Sequence, residues 1–230
     1  MFVFRLGLGL CAGVLLSLSL LCLPSYAQTG AFADARDGKQ YKSVKMPDGR
    51  TWMAENLNYK PSKGVSWCYG GKESNCAKYG RLYDWATAKS ACPAGYHLPS
   101  YKEWESFAKA LKMEKSPDDS HTWSGASKLK AKSGWNVDED GNGNGTDAYG
   151  FSALPGGSRC GSRGIKEGDC DEWMDDVGES GHWWSSGMNE EGGVSSLDIS
   201  WDEVRLATSM SNYGSEFGYS VRCVGGAGKP

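Results

Sequence analysis

The chain has 230 residues, 25 of them Lys or Arg and 28 Asp or Glu. Setting aside an apparent export segment at residues 1–27 leaves 203 residues at a net charge of −4, which suits one domain and excludes a multidomain enzyme or a nucleic-acid binder that works by neutralising phosphates. That mature part holds only 18 Leu, Ile and Val beside 24 Phe, Trp and Tyr, and the chain carries 32 Gly, so an aromatic core and much irregular backbone are expected.

Arg5 precedes an apolar run from Leu6 to Leu23, Pro24 breaks it, and Ser25-Tyr26-Ala27 offers small residues at a cleavage site. This is the pattern of a secretory signal peptide over residues 1–27; an uncleaved anchor is the competing reading. No membrane span is expected after cleavage, and export to the periplasm, the cell surface or the medium follows. Residues 28–40 are small and polar and are expected to form a loose leader to a domain over residues 41–226.

Tyr41 to Met46 and Thr51 to Asn56 flank the turn sequence Pro47-Asp48-Gly49-Arg50, which predicts a hairpin. Leu82, Trp85, Ala86 and Lys89 have helical spacing and predict a short helix ending before Cys92-Pro93. Ser100 with Glu103 reads as a capping box, followed by the apolar stripe Trp104, Phe107, Ala108 and Leu111 of a second helix. Ser116 to Gly181 shows little periodicity and reads as a long-loop region, with short strand-like pieces such as Phe151 to Leu154. His182 to Ser186, Ser195 to Ser200, Glu203 to Thr208 and Gly218 to Val224 predict a small antiparallel sheet, the middle two runs paired across Trp201-Asp202. The fold class is therefore α+β, with first and last strands able to meet.

Outside the export segment stand Cys68, Cys76, Cys92, Cys160, Cys170 and Cys223, an even set that predicts three disulfides in an oxidising compartment. Six cysteines allow 15 connectivities. Cys68 with Cys76 and Cys160 with Cys170 each bracket a short Gly-containing polar loop that closes easily, which leaves Cys92 with Cys223.

The segments VKMPDGRTWMAENLNY, YGRLYDWATA, CPAGYHLPSYKEWE, NGTDAYGFSALPGGSR, WWSS and GYSVRCV, in this order, resemble the Fibrobacter succinogenes major paralogous domain over about Tyr41 to Val224. That family consists of exported bacterial proteins in many paralogous copies, and the resemblance implies no particular reaction. HLPSYKEWE and SVRCV also resemble the C-type-lectin-like fold of formylglycine-generating enzymes. This implies terminal strands closing a loop, two helices, and a long-loop region on a small sheet.

Candidate sites are few. The loop from Asp138 to Asp147 places oxygen ligands at alternate positions, and Asp138, Asp140, Asn142 and Asp147 are the candidate ligands for calcium. The twelfth position of an EF-hand would be Tyr149 where Glu is required, so the competing reading is a solvated loop in which Asp147 accepts hydrogen bonds within the following turn. Trp52, Trp85, Trp104 and one of Trp183 and Trp184 are assigned to the core. Trp123, Trp135, Trp173 and Trp201 lie in polar loops and are candidate platforms for stacking on sugar rings. The lectin ligand tripeptides are absent. Cys160 and Cys170 lie nine residues apart, unlike the closer reactive pair of the formylglycine-generating enzymes. His97 in GYHLPS is expected to bond backbone at the helix entry, and His121 and His182 stand in no recognised catalytic motif.

The sequence thus points to an exported, non-catalytic binding or adhesion module at the cell envelope, with polysaccharide as the favoured ligand. A structural envelope protein contacting other proteins is the alternative, and a cysteine-dependent oxidase stands behind both.

Overall fold

The computed structural model describes residues 28–137, 143–160, 176–188, 193–200, 203–208 and 217–226. Strand β1 (Gln28–Ala33) pairs antiparallel with β2 (Gln40–Lys45) from Gln28↔Lys45 to Ala33↔Gln40. The expected loose leader over residues 28–40 is thus a strand and a turn. Phe32 anchors it by stacking on Tyr41 and on Tyr96, and the buried Asp34 carboxylate closes the turn by accepting from the Arg36 backbone N–H and guanidinium. A polar composition hid two aromatic contacts and one ion pair, which tie this edge strand and its turn down.

The predicted hairpin is present. β2 pairs with β3 (Thr51–Met53), Val44 facing Trp52, and Gly49 takes the left-handed conformation (φ 81°) that the intervening turn needs. The chain then forms β4 (Ser66–Trp67), α1 (Glu73–Tyr79), β5 (Leu82–Tyr83), α2 (Trp85–Ala91), β6 (Tyr96–His97), α3 (Tyr101–Ala110), β7 (Glu114–Lys115) and β8 (Thr122–Ser124). After the long-loop region come β9 (Ser180–Met188), β10 (Val194–Ser200), β11 (Glu203–Thr208), β12 (Tyr219–Ser220) and β13 (Val224–Gly225).

Three helices are described where two were expected. The sequence of α1 is polar and has no apolar stripe; the Cys68–Cys76 bridge ties it to the residue after β4. Helix α2 begins later than its spacing suggested, because Leu82 belongs to β5 and Asp84 caps the helix by accepting from the Thr87 N–H. Its buried face is Trp85, Ala88 and Ala91, while Ala86 and Lys89 face solvent. The capping box of α3 is formed in both directions, and Trp104, Phe107, Ala108 and Leu111 are all buried as the stripe predicted. Phe151 to Leu154 holds no strand; Ala153 makes a single bridge to Lys130.

Among the described residues one sheet has the order β1-β2-β3-β13-β6 and the other β4-β5-β12-β9-β10-β11-β8-β7. Pairings are antiparallel apart from one parallel contact of β12 with β9. The closing strand β13 lies between β3 and β6, so the two ends of the domain meet in one sheet. The Cys92–Cys223 bridge joins the end of α2 to the residue before β13, as expected, and spans 131 residues of sequence. Cys160 is buried, and its expected partner Cys170 lies outside the described residues, so two of the three expected bridges are described.

Strand β9 is a wall between two cores. Trp183 packs with Val44, Trp52, Trp104, Phe107, Phe151 and Ile199 on one side, and Trp184 with Tyr83, Trp85, Leu98 and Val221 on the other. Adjacent strand residues do point to opposite faces, but both faces are covered, so both Trp183 and Trp184 are core. Each indole N–H finds an acceptor: Trp183 donates to Asn56 Oδ1 at 2.8 Å and Trp184 to the Tyr83 carbonyl at 2.6 Å.

Candidate binding cleft

Between β4, α1 and the approach to Cys160 lies an open cleft of about 390 Å³. The pairing of β4 with β5 brings Trp67 opposite Leu82, next to Arg81, and the bridge Arg159↔Gly218 delivers Arg159 from the long-loop region. The Arg159 guanidinium lies 4.1 Å from the centre of the half-buried Trp67 ring, a planar cation held on an aromatic face. Partial burial pulls its pKa below the ordinary arginine value, and among the described residues its side chain donates to the Cys160 carbonyl. Lys60, Ser66, Tyr69, Gly70 and Gly71 complete the rim, the two glycines in left-handed conformations.

Arg81 forms the floor. Its side chain is 7% exposed; Nη2 donates to both oxygens of Glu73, at 3.1 and 3.2 Å, while Nε is buried without a partner. The Glu73 carboxylate at the lip is 77% exposed. Among the described residues three cations and one carboxylate therefore line a cleft in a chain whose own charge is −3. Cys68, Glu73 and Cys76 lie close together here, but the two sulfurs are bonded to each other and offer no thiolate to a metal.

A second polar cluster surrounds His182. Nδ1 lies 2.9 Å from Asp198 Oδ1 and Nε2 lies 2.9 Å from Asp176 Oδ2, and the ring stacks on Tyr219 with centroids 5.0 Å apart. Burial works against the imidazolium, but the Asp198 charge and the bonds to both carboxylates raise its pKa to about 10. Burial likewise opposes ionisation of Asp176, yet His182 and the Ser158 N–H and hydroxyl hold its pKa below the usual carboxylate value. With both ring nitrogens occupied, His182 acts as a fixed cation clamping Gly157-Ser158 to the sheet, not as a proton shuttle. Gly157 (φ 64°) is needed there: a Cβ would lie 2.8 Å from Asp176 Oδ1.

His97 bonds the Glu103 carboxylate at 2.9 Å and not the backbone expected, because the capping-box glutamate already occupies the Ser100 N–H with its other oxygen. His121 sits in the turn before β8 with Asp119.

The sequence-derived site residues scatter. Trp123 is 2% exposed on β8 and Trp135 is 5% exposed with its indole N–H donated to the Ala153 carbonyl, so neither presents a ring face to a sugar. Both were placed on the surface by their polar neighbours, whereas the long-range packing of β8 against β11 and of the loop against Ala153 draws them inward. Trp173 and Trp201 lie outside the described residues, as do Asp138, Asp140 and Asn142 of the acidic loop. Asp147 is described: it accepts from the Ser152 N–H at 2.7 Å and the Ser152 hydroxyl at 2.6 Å, pinning a turn in which both residues have positive φ. Its two carboxylate oxygens are engaged in that turn.

Lys60 and Trp67 stand outside the family segments, and Arg81 and Arg159 lie inside YGRLYDWATA and NGTDAYGFSALPGGSR without having been singled out as site residues. A faint signal did exist, since Trp67 and Arg159 each stand immediately before the first cysteine of a predicted small loop.

With the fold and cleft defined, comparison with known families is informative. The Fibrobacter succinogenes major domain matches residues 46–225. The chain belongs to that family. No curated protein and no solved structure matched the chain. The Fibrobacter succinogenes major domain match starts at Met46, the first residue after β2, and ends at Gly225 in β13, so it includes Lys60, Trp67, Arg81, Arg159 and the whole His182 cluster while leaving the β1–β2 ladder outside.

Proposed function

We propose that this domain is a non-catalytic binding module that holds polysaccharide in the Trp67–Arg159 cleft. One observation carries the reading: an open, polar-rimmed cleft with Arg81 at its floor and Trp67 in its lining presents hydroxyl, indole and cationic groups at the surface, with Glu73 the one carboxylate among its described lining residues. Sugars are held by such mixed surfaces, with ring faces on aromatic carbon and hydroxyls on side-chain donors. A glycosidase needs two carboxyl groups flanking the scissile bond, and the described lining residues of this cleft supply one.

Two disulfides support export to an oxidising compartment, and among the described residues no helix is long and apolar enough to cross a membrane. We assign the architecture to the C-type-lectin-like class on the meeting of its terminal strands, the Cys92–Cys223 tie and the capped α3. A third bridge between Cys160 and Cys170 is part of this reading, since Cys160 is not a free thiol.

The test is a glycan and polysaccharide screen on the oxidised protein, run with calcium and with a chelator, beside Trp67→Ala. Specific retention that Trp67→Ala abolishes supports the cleft. Retention lost only with chelator moves the site to the acidic loop, and no retention in any arm overturns the reading in favour of a protein-contacting envelope role.

A further inference from the structure

We infer that the cleft selects an anionic polysaccharide, its carboxylate seated on Arg81 and Arg159; this deepens the binding-module reading and rests on it. Arg81 is the decisive residue. Its Nε–H is shut off from water and has no acceptor among the described residues, an arrangement that leaves a strong donor unsatisfied and costs stability until an acceptor arrives. A guanidinium presents Nε and Nη2 as a fork that matches the two oxygens of a carboxylate. Here Glu73 uses Nη2 alone, from an exposed position on the lip, and leaves Nε empty.

The neighbours point the same way. Among the described residues Arg159, flat on Trp67, has no carboxylate partner, and Lys60 on the rim has none. Among its described lining residues the cleft therefore carries three cations against Glu73, in a protein of net charge −3. Low-dielectric walls focus such a field on an entering anion. Glu73 is then an internal competitor: a ligand carboxylate reaches the Nε–Nη2 fork, closed to solvent in this state, as it displaces Glu73 from Nη2 toward solvent.

This arrangement predicts opposite signs for two substitutions. Polygalacturonate oligosaccharides and a neutral glucan oligosaccharide of equal length are titrated calorimetrically against the full oxidised protein. Polygalacturonate binds in preference to glucan. Glu73→Gln tightens it, Arg159→Gln with Lys60→Gln weakens it, and Arg81→Met weakens it by roughly tenfold or more, the loss expected for a charge-assisted pair. The Arg159 and Lys60 variants keep the test valid should Arg81→Met fail to fold. A sulfated glucan of equal charge reports whether the site reads carboxylate or any anion; equal tightening over the neutral glucan would overturn the carboxylate assignment. Equal binding of neutral and acidic chains, indifferent to Glu73→Gln and to the Arg159 and Lys60 changes, would overturn the anionic inference and leave the binding module standing. Binding of none of these chains, with a positive hit for neither in the wider screen, would sink both.

Discussion

The amide oxygen of Asn56 is held by the guanidinium of Arg222, at 3.0 Å from Nε and 2.7 Å from Nη2. The same oxygen accepts from Trp183 Nε1, and the Asn56 amide donates onward to the Tyr79 carbonyl and the Ser220 hydroxyl. Arg222 is fully buried and among the described residues pairs with no carboxylate; its remaining N–H groups go to the carbonyls of Met53, Phe151 and Ser152. All five donors are satisfied, and the cation lies 4.4 Å from the Phe151 ring centre. Burial lowers its pKa to about 9, the Asp147 charge opposing, so it stays charged at neutral pH. Gly80 (φ 81°) lets the chain pass this hub, since a Cβ there would lie 2.6 Å from the Asn56 Cβ.

Removing the hub acceptor is therefore severe. Asn56→Ala strands two arginine donors and one indole N–H in the core and is expected to cost about 3–5 kcal/mol, the range for an uncompensated buried charge. Urea unfolding followed by Trp fluorescence measures it. A loss below about 1 kcal/mol would show that Arg222 finds other partners.

The His182 clamp predicts an alkaline limb of the stability curve. Its folded pKa of about 10 lies above the ~6.5 of an unfolded histidine, so its contribution is complete below about pH 6.5 and drains away as pH rises toward 10. Asp176 has the opposite sign: its lowered pKa contributes stability that is lost as pH falls through the acid range. Midpoints of thermal unfolding between pH 6 and 10 should decline for the native protein and stay flatter for His182→Gln. Parallel curves would contradict the clamp.

The Cys92–Cys223 bridge closes the longest described loop, 131 residues apart. Chain entropy sets its contribution at no more than about 4–5 kcal/mol, and the paired Ser substitution is expected to lose most of that. Cys68–Cys76, with a separation of 8, constrains far less of the unfolded chain and is expected to cost clearly less when replaced. Equal losses from the two pairs would mean that native contacts, not loop closure, dominate.

Ser100 accepts from the Glu103 N–H while Glu103 accepts from the Ser100 N–H and hydroxyl. Ser100→Ala is expected to cost about 1 kcal/mol, and because Glu103 also bonds His97, Glu103→Ala should cost more than a cap alone. Thermal melts of the two variants decide the order.

Trp123→Ala and Trp135→Ala are expected to lower stability by about 3–5 kcal/mol as core truncations, with no selective effect on ligand binding in whatever fraction stays folded. Trp67→Ala should do the reverse, sparing the fold and weakening retention, because its ring is half-buried at the cleft. Differential scanning fluorimetry beside the binding screen separates the two classes.

Local chemistry was legible in the residues themselves. The hairpin turn around Gly49, the capping box with its Trp104 to Leu111 stripe, the β10–β11 pairing and the Cys68–Cys76 bridge each follow from short-range rules of spacing and loop closure, and Cys92–Cys223 follows only as the pair those short loops leave over. What tertiary structure alone decided is which polar segments fold inward and which buried charges meet. Trp123 and Trp135 look like loop residues because their neighbours are polar, and only strands distant in sequence bury them. His182 meets Asp176 and Asp198 across 6 and 16 residues, Asn56 meets Arg222 across 166, and Arg159 reaches Trp67 through a bridge to Gly218. Periodicity reports a residue's relation to its own element; a cleft or a buried cation is a relation between elements, and it exists only once the chain has closed.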